Sequence, residues 1–343
     1  MSVAESRGRP GRTPLPALAA LAATAVAIGA LSLAAGCAPA AAPTPTPVES
    51  STTATAASST MTAAPRSAPA DYVPVGRDVA AAGVVQHLTC AGAKRDPGAP
   101  TVVLLAGLGA ASAETWSGVF PDDAQDLSLR MCMIDRAGIG LSPDRPDGPD
   151  SPVLNAREVV AGLAAAGERG PFIFAGWSYG GLVALLAAGQ AYAADPASLA
   201  GLVLIDATLP DEYRTIDPEG WEEAGSSLDM AAGEAAAAGV RLGDAPVVVL
   251  VAGDNEQNRE NWEFVLAGAQ ELASASADFV VVDAQDSSHD IAHDDPAVIL
   301  AALGVVADAA DSSMSACPSA FDAAEDGWSC LAADDSGDAS PTR

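Results

Sequence analysis

From residue 84 to residue 307 the apolar positions fall into short runs separated by turn-forming residues. Runs at 84–90, 101–105, 130–134, 172–175, 201–205, 246–251 and 279–282 are dense in apolar residues, with Gly, Pro, Asp or Ser close by. Short continuous runs of this kind predict buried strands. Between them, 155–166, 182–188 and 262–273 read as helices, and Asp295-Pro296 opens a closing helix over 297–307. Strands alternating with helices predict a mostly parallel sheet with helices on both faces. No internal repeat is visible.

The flanks break this pattern. Arg7, Arg9 and Arg12 precede an uncharged apolar stretch at 15–35, followed by Gly36-Cys37, so residues 1–37 have the layout of a secretory signal. Leu33-Ala34-Ala35-Gly36-Cys37 also resembles a bacterial lipoprotein box, in which the Cys is lipidated, although Leu33 stands one position too early. The apolar stretch is long enough to cross a bilayer. Lipidation at Cys37, plain cleavage and an uncleaved anchor all stay open. Residues 38–71, a Pro/Thr/Ala/Ser segment, read as a disordered tether. The folded domain is expected over 72–310, and an acidic tail carrying Cys317 and Cys330 over 311–343.

Composition narrows the choice of partner. The formal charge is −29, which argues against nucleic acid because phosphate contacts need clustered Lys and Arg. With 49% hydrophobic residues, the chain of 343 residues can bury a large core. An acidic surface favours solubility and disfavours anionic substrates. No Gly-rich dinucleotide fingerprint, P-loop or C-x-x-C pair is present, so no cofactor and no metal are expected.

The chemistry centres on Gly176-Trp177-Ser178-Tyr179-Gly180, a G-x-S-x-G match between the strand at 172–175 and the helix at 182–188. Strand, tight turn and helix are the context this motif needs to hold its serine in a strained, exposed position. Trp177, beside the serine, reads as packing. A serine needs a base, and the chain holds only three histidines, His87, His289 and His293. His289 follows the last predicted strand in a turn of small polar residues and is the candidate base, with His293 as the alternative. A base of this kind needs an orienting carboxylate. Asp206 ends one predicted strand, and Asp254, with Glu256 two residues on, follows another.

Four motifs occur in one order: Ala106-Gly107-Leu108-Gly109, Asp135-Arg136-Ala137-Gly138-Ile139-Gly140, Gly176 to Gly181, and Asp286-Ser287-Ser288-His289-Asp290-Ile291-Ala292. With them, residues 75–308 resemble the α/β-hydrolase family. The resemblance implies a mostly parallel eight-stranded sheet with helices on both faces and a small cap at 207–243, whose large apolar groups are Tyr213 and Trp221. It implies carboxylic ester hydrolysis through an acyl-enzyme on Ser178, with His289 as base. The family usually places the acid in Gly-x-x-Asp after the seventh strand, but here that stretch reads Gly253-Asp254-Asn255-Glu256. Members that place it at the end of the sixth strand match Leu204-Ile205-Asp206-Ala207, so Asp206 is the first candidate, with Asp254 and Glu256 as alternatives.

The resemblance also assigns the oxyanion hole to the N–H groups of Leu108 and Tyr179. The family usually has His-Gly in that loop; this chain has Ala106-Gly107, which keeps the backbone donors and loses a bracing side chain. In the family layout the second and fourth strands are neighbours, which implies a Cys90–Cys132 disulfide and leaves Cys317 with Cys330; four separate thiols are the alternative. The expected partner is a small ester-type substrate, and the membrane only through the N-terminal lipid or anchor, so the protein is expected to be exported. A non-catalytic binding protein on the same fold, or a haloperoxidase- or aminopeptidase-like enzyme, is the competing reading.

Overall fold

The computed structural model describes residues 76–331, apart from 95, 121–128, 147, 211, 213–219, 311–312, 315–316 and 322–326. The expected signal, Cys37, the tether, Tyr213 and the end of the acidic tail lie outside the described residues.

Nine strands form one sheet: β1 (Gly76–Ala81), β2 (Val84–Ala91), β3 (Thr101–Leu105), β4 (Arg130–Asp135), β5 (Phe172–Trp177), β6 (Leu199–Ile205), β7 (Val247–Ala252), β8 (Phe279–Ala284) and β9 (Trp328–Leu331). Their spatial order is β1-β2-β4-β3-β5-β6-β7-β8-β9. The strands from β4 to β8 are mutually parallel, while β1 and β2 at one edge and β9 at the other run antiparallel to their neighbours. β2 lies beside β4, as the α/β-hydrolase layout requires.

The continuous apolar runs are explained by burial on both faces. Every residue of β3, β6 and β7 is buried. Successive side chains on a strand point to opposite faces. Val103, Phe174, Leu202, Leu204, Val247 and Val249 therefore join one core layer, and Val102, Ile173, Val203, Ile205, Val248 and Leu250 the other. The first layer packs on α1 (Pro152–Ala165), α2 (Tyr179–Ala194) and α4 (Trp262–Ala273); the second packs on α5 (Pro296–Ala309). Helix α1 starts three residues ahead of the expected 155–166. Ser151 caps it by accepting the Leu154 N–H at 3.2 Å, and Pro152 fills the first turn, where a missing N–H costs nothing.

Two features depart from expectation. Among the described residues the sheet has nine strands rather than eight, because residues 328–331 of the tail pair with β8, with Cys330 opposite Val282. Between β6 and β7, the described part of the cap holds a small hairpin, Glu222–Glu223 against Ser226–Ser227, and helix α3 (Met230–Ala237). The two disulfides are Cys90–Cys132, directly opposite each other across β2 and β4, and Cys317–Cys330, which ties β9 back to the preceding loop. Among the described residues, no helix is long and apolar enough to cross a membrane.

Candidate active site

Ser178 sits between the last residue of β5 and the first of α2, with φ 54° and ψ −127°. A side chain in that region is strained, and the surroundings must hold it there. They do so with three backbone bonds: the Ser178 N–H donates to Ile205 at 3.0 Å, and its carbonyl accepts from Gly181 at 2.8 Å and Thr208 at 3.0 Å. Gly176 and Gly180 make the turn fit. A Cβ on Gly176 would lie 2.2 Å from the Gly180 carbonyl oxygen, and one on Gly180 would lie 2.3 Å from those of Leu105 and Ala106.

Asp206 leaves the C-terminal end of β6 at φ 36°, its N–H held by the Leu250 carbonyl at 2.8 Å. Its carboxylate lies 2.6 Å from Nδ1 of His289. It also accepts from the Ala252 N–H at 3.1 Å, from Asn258 Nδ2 at 3.1 Å and from Asn255 Nδ2 at 3.4 Å. These donors fix the carboxylate's direction. Neither alternative acid is at this position. Asp254 is exposed and pairs with Arg259, and Glu256 is an exposed residue at the start of the short helix Glu256–Glu260.

His289 is anchored from a second side. The Trp177 indole N–H donates to the His289 carbonyl at 2.6 Å, and the two rings lie 5.2 Å apart. With Nδ1 committed to Asp206, Nε2 is the nitrogen left to exchange a proton. Among the described residues, the Ser178 hydroxyl and the ring are not hydrogen-bonded to each other. Burial disfavours the charged ring, but the Asp206 hydrogen bond and charge, with Glu212 and Asp290, outweigh it and hold His289 above its ordinary value. His293 instead pairs with Asp290, and His87 with Asp78 on the neighbouring strand.

The loop after β3 closes the site. A Cβ on Gly107 would lie 2.8 Å from the Trp177 ring and 3.4 Å from Cβ of Ser178, so residues 107–108 run alongside the serine. Leu108 is 37% exposed. Tyr179 begins α2, where an N–H has no intrahelical acceptor. The site therefore brings together Ser178, His289, Asp206 and the 106–109 loop at one end of the sheet, while His87, His293, Asp254 and Glu256 stand apart from them. A cavity of about 180 Å³ adjoins it, lined by Asp206, Leu209, Glu212, Asn255, Asn258 and His289. Burial pushes the Glu212 carboxyl above its usual range, although its bond from the Leu209 N–H opposes this.

Asn255, Asn258 and Glu212 escaped the sequence reading. The two Asn stand three apart just after the apolar run at 246–251, a spacing that puts them on one face of a helical turn. Among the described residues, the one His/Cys/Asp/Glu group compact enough for a metal is Cys90, Cys132 and Glu168, and its two sulfurs are bonded to each other.

The comparisons agree with this architecture. Residues 100–235 match the family model described as the alpha/beta hydrolase fold. A relative from Bacillus subtilis (strain 168), uncharacterized protein YqjL, is 27% identical over 217 residues, covering 59% of this chain and 81% of that protein. Proline iminopeptidase from Mycobacterium smegmatis superposes with a TM-score of 0.52 at 15% identity, covering 69% of this chain and 99% of that one. A bacterial membrane phospholipase A superposes with a TM-score of 0.51 at 16% identity, covering 70% and 87%. The chain has the α/β-hydrolase fold.

Proposed function

We propose that this protein is a serine hydrolase that cleaves carboxylic esters through an acyl-enzyme on Ser178. The observation that carries the reading is the 2.6 Å contact between Asp206 and Nδ1 of His289, at the same sheet end as a serine strained at φ 54°. In this mechanism Nε2 of His289 takes the Ser178 proton as Oγ attacks the ester carbonyl. The carbonyl oxygen gains the negative charge, and the N–H groups of Leu108 and Tyr179 stabilise it. The C–O bond to the alcohol breaks, and His289 returns the proton to the departing oxygen. Water then repeats the attack on the acyl-enzyme and releases the acid. Asp206 stabilises the imidazolium in both halves.

Export and an N-terminal lipid or anchor belong to the same proposal. They are supported by the arginines ahead of the apolar stretch at 15–35, by Gly36-Cys37, and by two disulfides of the kind an oxidising compartment allows.

The test is direct. A fluorophosphonate should label wild-type protein at Ser178, and a chain-length series of p-nitrophenyl esters should be hydrolysed. Ser178→Ala should abolish labelling and reduce kcat by roughly a factor of a million if the three groups act as a unit. Full activity in Ser178→Ala would end the reading. Faster turnover of peptide or N-terminal amide substrates than of any ester would move it to an aminopeptidase.

A further inference from the structure

The loop that supplies the Leu108 N–H lacks the bracing histidine that the α/β-hydrolase resemblance leads one to expect, since residue 106 is Ala. Another side chain occupies the bracing role. Arg136, just beyond β4, donates Nη1 to the Ala106 carbonyl at 2.6 Å and Nη2 to the Gly107 carbonyl at 2.6 Å. Its other edge meets Glu223 of the cap hairpin in a two-point pair, Nε to Oε2 at 2.8 Å and Nη2 to Oε1 at 2.5 Å. Glu223 in turn accepts the Gly109 N–H at 2.9 Å. Both side chains are 1% exposed. Ala106, Gly107 and Gly109, on both sides of Leu108, are thus held by one ion pair.

The geometry gives the pair a specific task. The Gly107 carbonyl and the Leu108 N–H belong to the same planar peptide, which is trans. In a trans peptide these two groups point in opposite directions, so fixing the carbonyl on Arg136 fixes the direction of the N–H. A cation on the carbonyl also polarises the peptide and strengthens the N–H as a donor. The same guanidinium lies 5.1 Å from the centre of the Tyr179 ring, the residue that supplies the second donor.

We propose that Arg136 and Glu223 are positioning residues that aim the Leu108 N–H at the developing oxyanion, so that the oxyanion hole is complete only while the cap hairpin is in place. The inference rests on the proposed ester hydrolysis. Glu223 reaches the loop from the cap, so any movement of the hairpin that withdraws it frees Gly109 and leaves Arg136 without its counter-charge. The cap is then part of the catalytic apparatus, and not only a cover over the substrate.

The experiment compares wild type with Arg136→Lys and Glu223→Gln. Lys keeps the charge but offers three donors from a single nitrogen in place of the planar fork that makes four bonds here; Gln keeps the shape but loses the charge and one acceptor. With p-nitrophenyl butyrate, each variant should lose about tenfold to a hundredfold in kcat, below the full cost of deleting an oxyanion donor, with KM nearly unchanged. The Ki of a trifluoromethyl ketone, whose adduct on Ser178 carries an oxyanion, should rise in parallel. Variants that melt earlier but keep wild-type kcat and Ki would show a purely structural pair and overturn the proposal. A loss confined to KM would overturn it as well. A buried ion pair broken on one side can prevent folding. Should neither variant fold, hydrogen exchange in wild type decides: the Gly109 amide should be protected, and free exchange there overturns the proposal. Wild-type protein that neither labels with fluorophosphonate nor turns over esters would overturn the hydrolase reading itself, and this inference with it.

Discussion

At His289 the contact with Asp206 bears on both geometry and titration. Asp206 holds Nδ1 at 2.6 Å and stabilises the protonated ring, so the imidazole titrates above its ordinary 6.5. In the proposed mechanism His289 acts only when deprotonated, so kcat/KM is expected to rise with pH along a limb centred above 6.5. Asp206→Asn removes the stabilising charge, so the limb should move to lower pH while kcat falls by about 10⁴. Asp254→Asn, on an exposed carboxylate paired with Arg259, should change neither. A pH–rate series on the three proteins checks this, and a limb that stays in place in Asp206→Asn would count against the pairing. Ser178 and His289 were legible because a strict motif and a chain with three histidines leave few choices. The proposed acid was less so. Asp206 and Asp254 both follow buried strands, and which one reaches the ring depends on how the two chain ends turn. That in turn depends on φ 36° at Asp206 and on donors from Asn255 and Asn258, which no local pattern displays.

Among the elements, the contact between α2 and the loop after β6 decides whether the serine is held. Gly181 lies in the first turn of α2, and a Cβ there would stand 2.4 Å from Cβ of Ala207, the residue after Asp206. Gly181→Ala therefore pushes the helix from the strand end that carries the acid. It should cost about 1–3 kcal/mol of stability, the range for overpacking a close contact, and lower kcat as well, measured by denaturant unfolding and ester turnover. A variant of unchanged stability and rate would mean that the helix can shift freely. The parallel strands were legible because burial on both faces favours unbroken apolar runs, as in Val102, Val103, Leu104 and Leu105 of β3. The cap hairpin was not: strands of two residues are too short for any alternation to register. Trp328–Leu331 was also missed, because it lies among acidic residues and owes its strand to the edge of β8 and to Cys330.

For the whole molecule, the disulfides divide the labour. Cys90–Cys132 lies in the sheet between β2 and β4, away from Ser178. Replacing both by Ala should lower stability by about 2–4 kcal/mol and leave kcat on p-nitrophenyl esters unchanged; thermal melting and turnover on the same sample check this. Cys317–Cys330 and β9 stand at the opposite margin of the sheet. Until residues 328–331 arrive, the outer margin of β8 is a row of unpaired backbone groups alongside Val280, Val281 and Val282, a template for pairing with another chain. A chain cut after residue 310 should therefore clump on concentration while its serine can still react with a fluorophosphonate, which light scattering and labelling would separate. The strand at 328–331 is a selvedge: it keeps the weave from catching on its neighbours, and the bond from Cys330 to Cys317 sews it down.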